Sequence, residues 1–101
     1  MWMIVLFDLP VVTPEERKTA SLFRRSLLDQ GFQMGQFSVY YRLLPGKEAI
    51  DGYVKEIQAQ LPPKGKVEIL TITDKQYEGI ISFSGRTQGK NKQKPSQLML
   101  F

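Results

Sequence analysis

The architecture of this chain is set near its start by the segment Trp2-Met3-Ile4-Val5-Leu6-Phe7-Asp8. Six successive apolar residues are typical of a strand that is buried on both faces. Asp8 follows them directly, and Leu9-Pro10 then ends the strand, because proline cannot donate a ladder hydrogen bond. The segment therefore predicts a buried strand that carries an acid at its carboxyl end.

The composition restricts the chemistry that this acid could perform. The chain of 101 residues contains no His and no Cys, which excludes disulfides, thiolate–zinc sites and a histidine general base. Catalysis at neutral pH would therefore depend on carboxylates and a hard metal ion. Asp8 is the best placed of the ten acids. Asp8 could instead be structural, accepting backbone N–H bonds in the turn that follows, and the residues alone do not separate the two roles.

The charge is distributed unevenly along the chain. Residues 1–84 carry equal numbers of basic and acidic residues, so the net charge of +4 lies in residues 85–101. We predict a single domain over 1–84, a basic flexible linker over 85–96 and a C-terminal docking strand over 97–101. The absence of cysteine fits a cytoplasmic protein. The first apolar run is too short for a signal peptide or a membrane span, so we expect no membrane contact.

Periodicity and turn residues predict the remaining elements. Thr13-Pro14-Glu15-Glu16 is a capping box with proline at the first helical position, so a helix is expected over 14–30. Alternating apolar residues predict a strand over 36–43, and helical spacing predicts a second helix over 50–61. The other predicted segments are a strand over 66–73, a connection over 74–78 and a strand over 79–84.

These elements favour an α+β protein. We predict a ferredoxin-like βαββαβ fold with an extra C-terminal strand, with the first strand and the strand over 66–73 in the middle of the sheet. Both helices are expected on one face, which leaves the opposite face to be covered. Apolar residues on the predicted strand, such as Phe37 and Val39, favour covering it with a second copy, in a symmetric homodimer packed through the sheet face.

The first predicted helix has a basic face. Arg17 and Arg24 lie one heptad apart on one stripe, and Lys18 and Arg25 lie on the next. In a dimer, two such faces could follow the backbone of a nucleic-acid duplex, because phosphate contacts position a protein without reading sequence. A solvated helix face, with its charge partly offset by neighbouring glutamates, explains the same pattern.

Several segments of the chain together resemble a known family. They are Phe7-Asp8-Leu9-Pro10, Arg17-Lys18, Gly31-Phe32 with Gln36-Phe37-Ser38-Val39-Tyr40, Leu61-Pro62-Pro63-Lys64-Gly65 with Leu70-Thr71-Ile72-Thr73-Asp74-Lys75-Gln76, and Gln97-Leu98-Met99-Leu100-Phe101. In these segments the chain resembles the small CRISPR-associated adaptation protein, the second of the two core spacer-acquisition proteins, in the branch that accompanies type II systems. The resemblance covers essentially the whole chain.

The resemblance implies a function and a site. Members of this family are homodimers described as metal-dependent endonucleases that act on RNA or double-stranded DNA. In spacer acquisition the dimer bridges two dimers of the CRISPR integrase and holds the incoming DNA. The metal site of the family maps onto Asp8, which implies Mg²⁺, or Mn²⁺ in its place, as the cofactor and Asp8 as the catalytic residue.

The sequence leaves two functions open. The first is a non-catalytic scaffold that binds duplex DNA and bridges the integrase. The second is a metal-dependent phosphodiesterase centred on paired Asp8 residues, with a stand-alone toxin-type endoribonuclease of related fold as the alternative to the CRISPR role. A third function, a ferredoxin-like RNA binder, is discounted, because the segment Val67-Glu68-Ile69-Leu70-Thr71 lacks the block of a basic residue, glycine and an aromatic residue that an RNA-recognition motif carries. At Met34 the chain departs from some nuclease-active relatives, which carry a basic residue at that position.

Overall fold

The computed structural model describes residues 1–85 and 87–88 of the chain. In chain order the elements are β1 (Trp2–Asp8), α1 (Pro14–Asp29), β2 (Gln33–Gln36), β3 (Val39–Leu43), a 3₁₀ turn (Lys47–Ala49), α2 (Ile50–Ala59), β4 (Lys66–Ile72), α3 (Asp74–Glu78), β5 (Phe83–Ser84) and β6 (Thr87–Gln88). The predicted docking strand over 97–101 and most of the predicted linker over 85–96 lie outside the described residues.

A four-stranded antiparallel sheet contains β1 as a central strand. The strand order is β2-β3-β1-β4, and β1 pairs with β3 on one side and with β4 along its whole length on the other. Because α1 connects β1 to β2 and α2 connects β3 to β4, the chain has the βαββαβ order of a ferredoxin-like fold. The predicted fold class and the central position of the first strand are confirmed.

The predicted single strand over 36–43 is wrong, because the chain forms a hairpin there. β2 and β3 pair around a two-residue turn at 37–38, and the register of the ladder shifts near Gly35. A Cβ added to Gly35 would lie 2.8 Å from the Tyr41 ring, so a larger residue would push the two strands apart. Phe37 consequently lies in the turn and not on a strand face, and it is 69% exposed.

The part of the chain after α2 also differs from prediction. The strand predicted over 66–73 exists as β4, but it forms an edge of the described sheet, because β3 takes the second central position. The connection predicted over 74–78 is the short helix α3, which begins with a capping box between Thr73 and Gln76. Of the strand predicted over 79–84, only β5 is present, and it pairs with β6 in a separate two-stranded sheet.

The two predicted helices are confirmed as α1 and α2. α1 begins at the predicted capping box, in which the Glu16 amide donates to Thr13 Oγ1 at 3.1 Å and the Thr13 amide donates to the Glu16 carboxylate at 3.0 Å. It ends at Asp29, one residue earlier than predicted, and α2 ends at Ala59, two residues earlier. Within the part of the chain that the structure describes, no helix is both long and apolar enough to cross a membrane.

The alternation of β1 gives the sheet two different faces. Odd-numbered residues of β1 pack against both helices, which confirms that the helices share one face. Each large apolar side chain buried there contributes roughly 1.5–3 kcal/mol to stability. The core cluster consists of Met3, Val5, Phe7, Phe23, Leu27, Phe32, Tyr40, Leu44 and Ile57.

The opposite face, which we call the open face, is only partly covered, and residues 80–83 line a pocket on it together with Ile4, Val39 and Tyr41. Leu6 and Leu43 are each 37% exposed on it, and Leu70 is 49% exposed. The end of this face at Trp2 is covered by Tyr77 of α3, whose ring stacks on the indole at a centroid distance of 3.8 Å. Burial is the main cause that raises the pKa of the Tyr77 phenol far above its ordinary value.

Gly65 allows β4 to approach the end of β1. Its φ is +95°, and an added Cβ would lie 2.6 Å from the Asp8 carbonyl oxygen and 2.8 Å from Leu9 Cδ2. A side chain would therefore meet both an unfavourable backbone conformation and a steric clash. The glycine permits the last pair of the ladder, in which Lys66 lies opposite Asp8.

We predict that Gly65→Ala lowers the free energy of unfolding by about 1–3 kcal/mol. Urea denaturation followed by far-UV circular dichroism, at one fixed protein concentration, measures this change. Gly52→Ala is the matched control, because it lies inside α2 with open space around its Cβ position. It should raise the free energy of unfolding by roughly 0.5–1 kcal/mol. If Gly65→Ala had the same free energy of unfolding as the wild type, the role assigned to this glycine would be contradicted.

Candidate metal and nucleic-acid site

Asp8 is the last residue of β1, on the same face as Leu6 and opposite Lys66 of β4. Its side chain is exposed. With the residues that the structure describes, its carboxylate forms no hydrogen bond and no ion pair. The predicted site residue is therefore an open carboxylate at the rim of the open face, available to a ligand.

Two backbone amides between β1 and α1 are satisfied by Glu16 and not by Asp8. Glu16 Oε1 accepts hydrogen bonds from the Val12 amide at 3.1 Å and from the Thr13 amide at 3.0 Å. These bonds, with the one from Thr13 as the largest cause, hold the pKa of Glu16 below its ordinary value. No described contact thus supports the structural role that the sequence left open for Asp8.

A pocket of about 230 Å³ opens beside Asp8. The hairpin turn forms part of its wall, and the Phe7 amide ties this turn to β1 by donating to the Ser38 carbonyl at 3.0 Å. The Lys66 ammonium and the Glu68 carboxylate, which lie 3.8 Å apart, enter from β4. The lining residues are Leu6, Phe7, Asp8, Ser38, Val39, Lys66 and Glu68.

Sequence reasoning missed Ser38 and Glu68 as residues of this pocket. The alternation along β4 does place Glu68 on the same face as Lys66. The register of β4 against β1 decides whether that face reaches Asp8, however, and a single sequence does not give this register. The sequence therefore indicates that Glu68 and Lys66 share a face of β4, but it does not indicate that this face lies beside Asp8.

The carboxylates of the pocket limit the metal ions that it could hold. Among the described residues, no three or more His, Cys, Asp or Glu side chains come close enough together to form a metal site. Asp8 and Glu68 share the pocket, but Glu68 is paired with Lys66. Mg²⁺ is typically bound by one or two carboxylates together with waters and a substrate phosphate. One protomer thus offers one unpaired carboxylate, which is the smallest number of protein carboxylates that usually binds Mg²⁺.

Two of the four basic residues predicted to bind nucleic acid hold local structure. Arg17 Nη1 donates to the Val12 carbonyl at 2.8 Å and so ties the turn after β1 to α1. Arg24 Nε donates to the Phe37 carbonyl at 3.3 Å, and its guanidinium carbon lies 3.9 Å from the centre of the Phe37 ring. Each arginine thus already has a partner in the folded protomer.

The other two basic residues are more exposed. Lys18 forms no ion pair with any residue in the described ranges, and Arg25 pairs with Asp29 at 3.8 Å, where both side chains are more than 70% exposed. An exposed ion pair of this kind contributes little to stability. Lys18 and Arg25 are therefore the two charges on α1 that a phosphate backbone could engage at the least cost to the fold.

The fold and the site together define a class of protein: a ferredoxin-like α+β domain with an unpaired acid at the end of a central strand, beside an apolar sheet face that is only partly covered. Residues 1–80 match the family described as CRISPR associated protein Cas2. The chain belongs to this family, and the resemblance drawn from its sequence motifs is confirmed.

Three similar proteins match this chain over its whole length, and each is named CRISPR-associated endoribonuclease Cas2. The protein of Paracidovorax avenae is 50% identical over 101 residues, which are all of this chain and 94% of the relative. That of Parvibaculum lavamentivorans is 45% identical over the full length of both chains. That of Flavobacterium psychrophilum is 43% identical over all of this chain and 88% of the relative.

Proposed function

We propose that this chain is a subunit of the CRISPR spacer-acquisition machinery. It acts as a homodimer that binds duplex DNA, bridges dimers of the integrase and carries a Mg²⁺-dependent endonuclease site at paired Asp8 residues. The observation that carries the proposal is the open Asp8 carboxylate at the end of a central strand, in a family whose relatives are named endoribonucleases.

The open face supports the dimer. Large apolar patches that remain exposed on a small domain usually mark an interaction surface. A two-fold interface uses the same patch on both subunits, so a single self-complementary face is sufficient. An axis near the carboxyl end of β1 would bring Asp8 close to its own copy. The apolar residues of this face are Ile4, Leu6, Val39, Tyr41, Leu43, Leu70 and Ile72.

The ligand chemistry of the pocket fits Mg²⁺, or Mn²⁺ in its place, once two protomers contribute. Two Asp8 carboxylates are the number that such an ion usually takes from a protein. When bound, the ion would lower the pKa of a water molecule and neutralise charge on a phosphate. Lys66 lies opposite Asp8 and offers a cation for a phosphate oxygen in the same pocket. Without an ion, the two paired carboxylates would repel each other.

The basic residues of α1 support binding to duplex DNA. Lys18 and Arg25 supply charges that are exposed, and they can reach phosphates without breaking a contact of the core. Arg17 and Arg24 hold the turns next to the site and have further guanidinium nitrogens to donate. Contacts of this kind bind the backbone without selecting a sequence.

The toxin-type endoribonuclease is the alternative function, and no separate contact in the described structure favours it. It would use the same Asp8, so the integrase and duplex DNA are the partners that distinguish the two functions.

We predict that Leu70→Lys converts the dimer to a monomer, because it places a charge among the apolar side chains of the open face. Sedimentation velocity at matched concentrations measures the mass. Leu22→Lys is the control, because Leu22 is 61% exposed on α1, on the other side of the sheet. This variant should leave the dimer intact. A dimer that survives Leu70→Lys would contradict the interface proposed here.

We predict that Asp8→Asn abolishes Mg²⁺-dependent cleavage while leaving the fold and the dimer unchanged. The assay incubates labelled duplex DNA and single-stranded RNA with the purified protein, with Mg²⁺, with Mn²⁺ and with chelator. Asp51→Asn is the control, because it removes an exposed acid from α2, on the opposite face. Cleavage that persists in Asp8→Asn would remove Asp8 from the site. No cleavage by the wild type would leave the DNA-binding scaffold as the function.

We predict that Lys18→Gln combined with Arg25→Gln weakens duplex DNA binding and makes its salt dependence shallower. The slope of log affinity against log salt should fall by about 0.9 for each phosphate that the variant no longer neutralises. Fluorescence anisotropy over a range of NaCl concentrations measures it. Lys55→Gln combined with Lys75→Gln removes the same charge from α2 and α3 as a control. Equal slopes for the two double variants would contradict the role of α1.

A further inference from the structure

The tip of the β2–β3 hairpin carries an aromatic ring that points away from the core. Phe37 is 69% exposed, and the guanidinium carbon of Arg24 lies over its ring at 3.9 Å from the centroid. Arg24 Nε also donates to the Phe37 carbonyl at 3.3 Å, so the ring and the backbone of the turn are both held by α1. A cation covers one side of the ring, and most of the residue faces solvent.

The folded protomer gives no reason for a large aromatic residue at this position. Burial, which is the main benefit of a phenylalanine side chain, is mostly absent. A cation–π contact at so exposed a site stabilises the protein only slightly. The hairpin itself needs only small or polar residues in its turn. The ring is therefore available for a contact with another molecule.

The proposed dimer interface does not cover this ring. Arg24 belongs to α1, on the helix side of the sheet, and its guanidinium carbon is also 5.8 Å from the ring of Phe7, a core residue of that side. The apolar patch that supports dimerisation lies on the opposite, open face. Phe37 and Arg24 thus stay accessible when two copies pack through their open faces.

We propose that Phe37, held in place by Arg24, is a stacking platform for an unpaired base of a single-stranded nucleic acid. An aromatic face stacks on any nucleobase, whereas a base inside an intact duplex already stacks on its neighbours and cannot be reached. Arg24 lies over one side of the ring, and the same helix carries two further exposed cations, Lys18 and Arg25. This charge suits a phosphate backbone better than an apolar protein partner.

The platform adjoins the Asp8 pocket. Ser38, the residue after Phe37, lines that pocket, and its carbonyl is bonded to the Phe7 amide of β1. A strand whose base stacks on Phe37 would therefore lie next to the pocket that contains Asp8. The inference rests on the proposed function for nucleic acid as the ligand, and it adds an unpaired base as the element that this site recognises.

The test measures affinity for strands that differ only in their bases. Fluorescence anisotropy compares oligouridylate, oligodeoxythymidylate and an abasic deoxyribose-phosphate strand of equal length, with a duplex as the fourth ligand. We expect Phe37→Ala to weaken binding of the two base-bearing strands by about fivefold to a hundredfold. Binding of the abasic strand and of the duplex should change little, and Phe37→Trp should retain the affinity for bases. Comparing the affinities for oligouridylate and oligodeoxythymidylate shows whether the protein prefers RNA or DNA strands.

Leu22→Ala is the matched control, because it also removes an exposed apolar side chain from the helix side of the sheet. The platform is overturned if Phe37→Ala binds the base-bearing strands as the wild type does, or if it weakens the abasic strand equally. A change of dimer mass without a change of affinity would identify Phe37 as a protein contact and would also overturn it. Wild-type protein that binds single strands but not the duplex would contradict only the proposed duplex function.

Discussion

The register of β1 between its two neighbours is the constraint on which the rest of the structure depends. Val5 lies opposite Tyr40 in one ladder and opposite Ile69 in the other, so both neighbours specify the same alignment. A slip of one residue would exchange the two faces of the strand, placing Asp8 against the helices and Phe7 in water. The cost of that exchange keeps Asp8 at the rim of the open face. The position of the acid thus follows from packing of the core and not from the turn that it precedes.

The features that could be predicted from the sequence are those that a local pattern specifies. The capping box at Thr13 and regular apolar spacing determine the two helices, and the apolar run determines the buried strand that ends in Asp8. The hairpin could not be predicted, because the apolar alternation continues through Phe37 across a turn that contains neither glycine nor proline. Glu68 was missed as a neighbour of Asp8 because pairing between distant segments, which a single sequence does not reveal, brings the two together.

The two faces of the sheet have different surroundings, and this difference organises the proposed functions. The helix side combines a closed core with surface cations, some of which are already used to hold turns. The open side combines exposed apolar residues with an acid that nothing in the described structure neutralises. Glu16, and not Asp8, accepts the hydrogen bonds of the Val12 and Thr13 amides between β1 and α1.

The stack of Trp2 on Tyr77 has an experimental consequence. Trp2 is the only tryptophan of the chain, it is 2% exposed, and its indole nitrogen has no hydrogen-bond partner among the described residues. An indole in dry surroundings fluoresces at shorter wavelength than one in water. The intrinsic tryptophan fluorescence of the protein consequently reports on the environment at the end of the sheet that α3 covers. Undocking of α3 would shift this emission to the red while the circular dichroism of the sheet stayed constant, so local opening could be followed without a label.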